Sequence, residues 1–353
     1  MSVTRSPIVF VVPGDLHLTE AGEPNHRTAE WAIDEINTLI RPDFVQFIGD
    51  NVQHASDAQF ELFRALRSRL EVPSHVLVGD HDVHEDPVAA GFFRHIGPTH
   101  GSSVVAGGRF IRLNSLDYRP VGFSPEQILW LQDEIDAATQ KNEKVILFQH
   151  HYPFKVYESY SGPGVDARRE IVQNSAIEAI FTGHTHYGQI ANDGKHVYIT
   201  TRSIGDPEGG PPGYTIAYWH GDDLAVVYRS ASEAGPAVMI VHPRAKPLAT
   251  GPAHIVQGDD RVQARIWSNE RITTVRGRID GGKWFMLDDC SGIDRFGPLA
   301  GRELSKGEHT LEVEATDSRG RVGRDEIGFM VDPTGRYTPI PSTTPVVVAT
   351  AYC

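Results

Sequence analysis

The chain has few cysteines and no long apolar run. Only Cys290 and Cys353 occur among its 353 residues. They form no CxxC pair, which argues against a thiolate zinc site or a disulfide scaffold and fits a reducing compartment. No apolar run approaches the roughly 20 residues that a membrane-spanning helix needs. Residues 1–6 lead into the first strand without a charged segment and a cleavable apolar core. We therefore expect no signal peptide and a cytoplasmic protein.

Positive charge is also scarce. The chain has 33 Lys and Arg against 46 Asp and Glu, for a net charge of −13. This balance argues against long nucleic acid or an anionic membrane as a partner, because either would need a basic surface. An anionic substrate would need local positive charge, which a bound metal supplies. The length exceeds that of one ordinary domain, so we expect two.

From residue 8 to about residue 229, apolar runs alternate with segments of helical periodicity. Helices are predicted over residues 29–40 and 60–70, and after the N-terminal signal Ser124-Pro125-Glu126-Gln127 as far as residue 138. A shorter helix is predicted over residues 168–174. This alternation predicts a layered α/β domain over residues 1–232. The runs predicted as strands are 8–12, 44–48, 76–78, 145–148 and 177–181.

The pattern changes after about residue 235. Short strand-like runs separated by Gly, Asp and Ser turns replace the helical segments. The segment Gly307–Asp317 alternates apolar and polar residues, as a strand with one solvated face does. We predict an all-β immunoglobulin-like sandwich over residues 236–333. The tail, residues 334–353, is Pro- and Thr-rich and then apolar, which fits either a loose end or an added edge strand.

Each predicted strand of the first domain is followed by a motif of carboxylates and imidazoles. Ligands bind at the carboxyl ends of strands in open α/β sheets, so we expect these motifs to meet at one edge. Such ligands without thiolates suit Mn, Fe, Zn or Co. Two of these ions, about 3.5–4 Å apart, can clamp the attacking and leaving oxygens of a displacement at phosphorus. The motifs are Asp15-Leu16-His17, Gly49-Asp50-Asn51, Gly79-Asp80-His81-Asp82, His150-His151-Tyr152-Pro153 and Gly183-His184-Thr185-His186.

The order of these motifs resembles that of the calcineurin-like metallophosphoesterase superfamily, which runs Asp-x-His, Gly-Asp, Gly-Asn-His-Asp/Glu, His and Gly-His-x-His. The resemblance covers residues 8–229 and implies a metallophosphoesterase-type α/β fold, a β-sandwich core flanked by helices. The Asp-x-His motif is similar to that of bacterial cyclic-nucleotide and glycerophosphodiester phosphodiesterases. The resemblance thus implies a phosphodiesterase for a small organic phosphodiester, in which hydroxide shared by two metal ions attacks phosphorus in line.

The resemblance also implies a ligand set for two divalent or mixed-valence ions. Asp50 would bridge the ions, and one member of the His150–His151 pair would be a ligand. In relatives that ligand tends to precede a proline by two positions, which favours His151 and would leave His150 in the core or pocket. The full set of implied ligands is Asp15, His17, Asp50, Asp80, His184, His186 and His151 or His150.

Three further residues receive roles. By the resemblance, His81 would stabilise the phosphoryl charge or protonate the leaving group, and Asp82 would orient it. Arg202, just before a loop rich in glycine and proline, is a candidate for contact with the substrate phosphate. Asn51 is either a turn residue or a partner of the bridging carboxylate. Gln53 stands where the purple acid phosphatases have a tyrosine ligand, so we do not expect a purple charge-transfer centre.

The chain departs from the family pattern at Asp80, where the family has asparagine. A third carboxylate lowers the formal charge of the centre by one unit and would attract an anionic ester less strongly. An Fe(III)–M(II) pair would restore that charge. Asparagine can also donate a hydrogen bond to phosphate, which an ionised carboxylate cannot. Altered metal preference, weakened activity and an introduced inactivating change all remain open.

Two alternatives to the phosphodiesterase remain open. The first is a phosphomonoesterase. The second is a binding or regulatory protein whose degenerate site has weak or no turnover. In the second case the β-domain would make the important contact. Modules of this type serve as spacers, interfaces or lids, which leaves room for a homo-oligomer formed through residues 236–333.

Overall fold

Parallel pairing of strands sets the architecture of the first part of the chain. The computed structural model describes residues 6–84, 86, 89–154, 160–258, 260–299, 304–339 and 341–347. Strands and helices alternate as the sequence predicts. The strands of this part are β1 (Ile8–Pro13), β2 (Phe44–Phe47), β3 (Ser74–Val76), β4 (Gly101–Val105), β5 (Gly108–Leu113), β6 (Lys144–Gln149), β7 (Ile177–Thr182), β8 (Gln189–Asn192), β9 (Val197–Thr200), β10 (Gly213–His220) and β11 (Asp223–Ser230).

These strands form two sheets that pack face to face. The first has the order β11-β10-β1-β2-β3, and β1, β2 and β3 run parallel. In the second, β5, β6, β7 and β9 run parallel, with β4 at one edge beside β5. Both sheets therefore present several carboxyl-terminal strand ends at the same edge of the sandwich, where the sequence predicts that the five motifs meet.

The core between the sheets is aromatic. Along β1, Val9 and Val11 face the helices, whereas Phe10 and Val12 face the second sheet, as the two-residue period of a strand dictates. Phe10 is fully buried, with its ring centroid 5.2 Å from those of Phe44 and Phe181. Contact between side chains of the two sheets excludes water and orients the strands that carry the motifs.

Helices cover the outer faces of both sheets. The helices are α1 (Pro24–Glu35), α2 (Asp57–Arg67), α3 (Asp80–Val83), α4 (Ala90–His95), α5 (Pro125–Gln140) and α6 (Val165–Asn174). The predicted start of α5 is confirmed, because the Ser124 hydroxyl accepts from the Gln127 main-chain N–H. The predicted helix 29–40 differs in its ends. It begins earlier, with Pro24 in the first turn, and its last residues, Ile36–Ile40, form a π-helical turn.

The second part of the chain is strand-rich, as expected. Two four-stranded sheets have the orders β12-β13-β17-β16 and β15-β14-β18-β19, and their side chains share one apolar core. This arrangement is consistent with a β-sandwich, while the immunoglobulin-like type remains a prediction. The strands are β12 (Ala237–His242), β13 (Arg261–Trp267), β14 (Ile272–Ile279), β15 (Phe285–Met286), β16 (Asp288–Ser291), β17 (Asp294–Pro298), β18 (Gly307–Asp317) and β19 (Val322–Val331).

The tail returns to the first part of the chain. Strand β20 (Ser342–Val347) pairs antiparallel with β8 at the edge of the seven-stranded sheet. Of the two alternatives for the tail, the added edge strand is present, while residues 340 and 348–353 lie outside the described part. Among the described residues, no helix has the length and apolar character needed to cross a membrane.

The aromatic core yields a stability prediction. Replacing Phe10 by alanine should lower the free energy of unfolding by about 3–5 kcal/mol, because the removed ring leaves a cavity between the sheets. Phe93 is 64% exposed, so Phe93→Ala should change that free energy by about 0.5 kcal/mol or less. Urea denaturation followed by circular dichroism measures both. Equal effects of the two substitutions would contradict the packing described here.

Candidate metal centre

All five motifs follow strand ends, four of them in loops and the third, Gly79-Asp80-His81-Asp82, at the start of α3. β1 leads into the loop of Asp15 and His17, β2 into that of Asp50, and β3 into that of Asp80. In the second sheet, β6 ends before His150 and β7 before His184 and His186. Main-chain hydrogen bonds join neighbouring loops within each sheet, with Gly183 N–H donating to His150 C=O and His17 N–H to Asp50 C=O. Between the sheets, the His184 N–H donates to Asp15 Oδ1. The tertiary fold therefore gathers the motifs at one place.

The loops hold several ligand candidates in a rare backbone conformation. Left-handed φ values for residues other than glycine cost about 1–3 kcal/mol each and concentrate at functional sites. The surrounding hydrogen bonds must hold these turns in place. The candidates with φ between 34° and 68° are Asp15, His17, Asp50, His184 and His186.

Two glycines permit the close approach of the loops. Gly49 has φ +102°, and a Cβ there would lie 2.4 Å from the Nδ1 atom of His150. A Cβ at Gly79 would lie 2.2 Å from the main-chain nitrogen and Oδ1 of Asp50. Any side chain at these positions would therefore push His150 or Asp50 away from the centre. The glycines of the Gly-Asp motifs thus serve the packing of ligand loops as well as the turns.

One group of ligand atoms comes from four residues of three loops. The Nε2 atoms of His17 and His186 lie 3.1 Å apart, and His17 Nε2 lies 3.7 Å from Asp50 Oδ2. Asp15 completes the group, and one ligand atom from each residue lies within 4.8 Å of the others. Asp15 Oδ1 accepts from the His184 N–H, whereas the buried Oδ2 has no hydrogen-bond partner. A buried, unpartnered carboxylate oxygen beside two facing imidazoles fits a cation site.

The second group shares Asp50 with the first. Asp80 Oδ1 lies 3.0 Å from His150 Nε2 and 3.1 Å from His184 Nδ1. His150 Nε2 is also 3.3 Å from Asp50 Oδ2. Although burial opposes the shift, hydrogen bonds from His150 and His184 lower the pKa of Asp80 below its usual range. The described residues that form this group are Asp50, Asp80, His150 and His184.

The tautomers of two histidines suit metal binding. His17 Nδ1 lies 2.8 Å from Gln53 Oε1 and His150 Nδ1 lies 2.8 Å from Ile48 C=O. Both partners are acceptors, so each Nδ1 donates a proton, and once the imidazole is neutral its Nε2 has a lone pair for a metal. Burial lowers the pKa of His17, which favours the neutral imidazole that a metal requires. Imidazole and carboxylate donors of this kind fit two divalent or mixed-valence ions.

The second ligand group contains His150, whereas the sequence favours His151 as the ligand. His150 is fully buried and directs Nε2 into the second group, as described above. His151 Nδ1 lies 2.8 Å from the Ser115 hydroxyl, and the His151 ring packs 4.4 Å from that of His184. The sequence favours His151 because it precedes Pro153 by two positions, which is a local feature. The direction of each ring depends instead on packing against the end of β2 and the loop after β5.

Asp82 bonds to the loops around it, whereas the resemblance implies that it orients His81. Its two oxygens accept from the main-chain N–H groups of Asn51, Val52 and Gly79, and from the Asn51 side-chain amide. It therefore ties the Asp50 loop to the Asp80 loop rather than contacting the His81 ring. Asn51 is fully buried and also donates to Leu77 C=O, so it is a structural partner of this network as well as a turn residue.

His81 lies at the open side of the centre. Its Nδ1 is 3.0 Å from the main-chain oxygen of Gln53, and its Nε2 is 3.9 Å from Asp80 Oδ2. The His81 side chain is 36% exposed and that of Asp80 is 35% exposed, whereas Asp15 and His150 are fully buried. A substrate would therefore approach from the Asp80 and His81 side.

Two residues next to the ligand candidates receive no role from the sequence, although Gln53 stands at the position of a tyrosine ligand in purple acid phosphatases. Gln53 contacts both His17 and His81, and Asp206 Oδ2 lies 3.6 Å from His186 Nδ1. Asp206 follows a segment that is bonded to the Asp15 loop through Ser203, whose hydroxyl donates to Asp15 C=O. The position of Gln53, two residues after Gly49-Asp50-Asn51, is the signal that it lies near the centre, whereas Asp206 belongs to no motif.

Arg202 is buried against Tyr228 of β11. It is 2% exposed, its guanidinium lies 4.6 Å from the centroid of the Tyr228 ring, and Nη1 donates to Pro211 C=O. A buried guanidinium stacked on a ring cannot receive substrate without rearrangement. In this structure Arg202 holds the glycine- and proline-rich loop against β11, and its contact with a substrate phosphate stays a prediction.

Comparison with known proteins agrees with the site. A model of the calcineurin-like phosphoesterase family matches residues 8–188, which contain all five motifs. A protein of Arcobacter nitrofigilis named probable glycerophosphodiester phosphodiesterase GpdQ is 26% identical over 216 residues, which are 56% of this chain and 78% of that protein.

Two solved structures are similar in fold. A dimetal phosphatase from Danio rerio superposes with a TM-score of 0.52 at 14% identity, over 64% of this chain and 97% of that chain. A purple acid phosphatase from yellow lupin seeds superposes with a TM-score of 0.50 at 16% identity, over 64% of this chain and 52% of that chain. At these identities the likeness concerns the arrangement of strands and helices.

The shared position of Asp50 predicts the metal content of variants. Asp50→Asn should lower the occupancy of both ions, whereas His186→Ala and His184→Ala should each lower the occupancy of one. Metal analysis after dialysis against a fixed Mn²⁺ concentration measures the ratio of metal to protein. Asp166→Asn is the control, because that side chain is 92% exposed on α6 and should leave the ratio unchanged. Equal losses in all three site variants would contradict two groups that share one carboxylate.

Proposed function

Because the chain belongs to the calcineurin-like phosphoesterase family, we propose that it is a dinuclear metal-dependent phosphodiesterase for a small organic phosphodiester. The observation that carries this proposal is the pair of four-residue ligand groups that share Asp50. A carboxylate common to both groups holds two ions close enough to act on one phosphoryl group.

The proposed ligands follow the geometry of the two groups. Asp15, His17, Asp50 and His186 hold one ion. Asp50, Asp80, His150 and His184 hold the other. We place His150 rather than His151 in this set because its Nε2 points at Asp50 and Asp80. The absence of thiolates among these residues favours Mn, Fe, Zn or Co over softer metals.

Different residues of the site have different roles in the proposed hydrolysis. Two ions bound here would activate water and stabilise the charge that develops on the phosphoryl oxygens. His81 stands at the mouth with Nδ1 bonded to the main-chain oxygen of Gln53, which leaves Nε2 facing the open side, where the doubly protonated ring would give a proton to the leaving oxygen. Asp82 and Asn51 keep the loops of Asp50 and Asp80 in register.

The charge of the site supports a diester rather than a monoester. A phosphodiester carries one negative charge, and a monoester carries up to two at neutral pH. The third carboxylate, Asp80, reduces the positive charge of the bound centre and so disfavours the more highly charged monoester. The relative from Arcobacter nitrofigilis is named as a glycerophosphodiester phosphodiesterase, which supports the same choice.

Asp80 also favours a second candidate function. If the additional carboxylate impairs substrate binding, the chain is a binding or regulatory protein whose site has weak turnover. The β-rich part, residues 236–333, would then provide the main contact with a partner. We further propose a cytoplasmic location from the composition, and self-association through this β-rich part remains a prediction.

An assay of two model substrates tests the proposed activity. With Mn²⁺ present, the protein should hydrolyse bis(p-nitrophenyl) phosphate with a higher kcat/KM than p-nitrophenyl phosphate. A chelator should abolish the release of p-nitrophenol, and added Mn²⁺ should restore it. Asp50→Asn serves as the inactive control. A higher kcat/KM for the monoester would instead identify a phosphomonoesterase, and no metal-dependent release would favour the binding protein.

Exchange of Asp80 for asparagine tests the effect of the third carboxylate. If Asp80 belongs to a working site, Asp80→Asn should lower kcat/KM for bis(p-nitrophenyl) phosphate and change the metals that the purified protein retains. Metal analysis alongside turnover measures both effects. An asparagine variant that is much faster with the same metal content would show that Asp80 weakens the site and would favour the regulatory function.

A further inference from the structure

Gln53 is fixed between two neighbouring loops of the centre. Its main-chain N–H donates to Leu18 C=O at 3.1 Å, and Leu18 and Val52 form an isolated parallel β-bridge. The residue therefore cannot move relative to the His17 loop without breaking main-chain hydrogen bonds. A side chain anchored in this way can impose a direction on its neighbours.

The side chain of Gln53 determines the orientation of His17. Its Oε1 lies 2.8 Å from His17 Nδ1. An amide oxygen only accepts, so the proton of the neutral imidazole stands on Nδ1 and the lone pair on Nε2. That Nε2 atom faces His186 Nε2 and Asp50 Oδ2. Partners of this kind fix the tautomer of a ligand histidine, and their loss lowers metal affinity by about 10–100-fold.

The main chain of Gln53 holds a second histidine. Its carbonyl oxygen lies 3.0 Å from His81 Nδ1, which leaves His81 Nε2 directed toward the open side of the centre. The rings of His17 and His81 pack edge to face with centroids 4.6 Å apart. Gln53 therefore contacts the Nδ1 atom of His17, a metal-ligand candidate, and the Nδ1 atom of His81, the candidate proton donor.

We propose that Gln53 is a positioning residue that orients both His17 and His81, the first through its side-chain oxygen and the second through its main-chain oxygen. The role of Gln53 in catalysis rests on the proposed function. Its effect on the orientation of the two rings can be tested without that function. A substitution at Gln53 removes the His17 contact and keeps the carbonyl that holds His81. The two contacts can therefore be separated by experiment.

A Co²⁺ titration tests the His17 contact. Gln53→Met keeps the length of the side chain and removes its acceptor oxygen. It should weaken Co²⁺ binding at the ion that His186→Ala also affects, by about 10–100-fold, and leave the other ion unchanged. Gln53→Glu retains an acceptor and should bind Co²⁺ within a few-fold of the unmodified protein. Both variants should keep the circular dichroism spectrum of the folded chain.

Gln59 offers a matched control for this exchange. Its Oε1 accepts from the His54 main-chain N–H at 2.8 Å, close to the same loop but without contact to a ligand candidate. Gln59→Met should lower thermal stability slightly and leave both Co²⁺ affinities unchanged. If Gln59→Met weakens Co²⁺ binding as much as Gln53→Met does, the effect comes from general loosening of the loop, and the proposal is wrong.

Nuclear magnetic resonance of ¹⁵N-histidine in the metal-free protein separates this inference from the proposed function. In Gln53→Met the Nδ1–H tautomer of His17 should be lost, whereas that of His81 should persist through the Gln53 carbonyl. Assignments come from His17→Ala and His81→Ala. An unchanged His17 tautomer, together with unchanged Co²⁺ affinity, would overturn the inference even if the protein is an active phosphodiesterase. The expected tautomers without phosphodiesterase activity would instead reject the function alone.

Discussion

The carboxylate of Asp50 is the contact on which the arrangement of the centre depends. Its Oδ2 lies 3.7 Å from His17 Nε2 and 3.3 Å from His150 Nε2, so one atom faces imidazoles from both sheets. Its Oδ1 accepts from the His81 N–H at 2.9 Å, which fixes the carboxylate plane. Because Asp50 belongs to both ligand groups, the two sheets must keep their relative position for either group to form.

The fold stabilises a set of strained loops with buried polar contacts. The left-handed turns at five ligand candidates are unfavourable by themselves. They follow strands whose side chains pack in the aromatic core, and Asp82 holds two of the loops with four hydrogen bonds. Rigid strand ends with supported loops place ligand atoms more reliably than free loops would. The strain is thus confined to the residues whose positions matter.

The β-rich part is attached to the first part by more than a linker. β20 adds to the seven-stranded sheet beside β8, and Leu248 packs in the core between the two sheets. The Asn192 side chain, at the end of β8, donates to Ala249 C=O. These contacts join the β-rich part to the sheet that carries the loops of His150 and His184. The β-rich part is therefore packed against the first part of the chain and is not a freely tethered module.

Local sequence by itself determined the strands, the capped helix α5 and the motifs, because periodicity and capping depend on residues only a few positions apart. It also determined which residue types could hold metal. The tertiary structure alone directs His150 Nε2 toward Asp80, since the partners of His150 are Ile48, 102 residues away, and Asp80. Likewise, the Gln53 contact with His17 spans 36 residues, and Arg202 is directed by Tyr228. The direction of a side chain is set by whatever packs against it, and in this fold those neighbours come from distant strands that meet at one sheet edge.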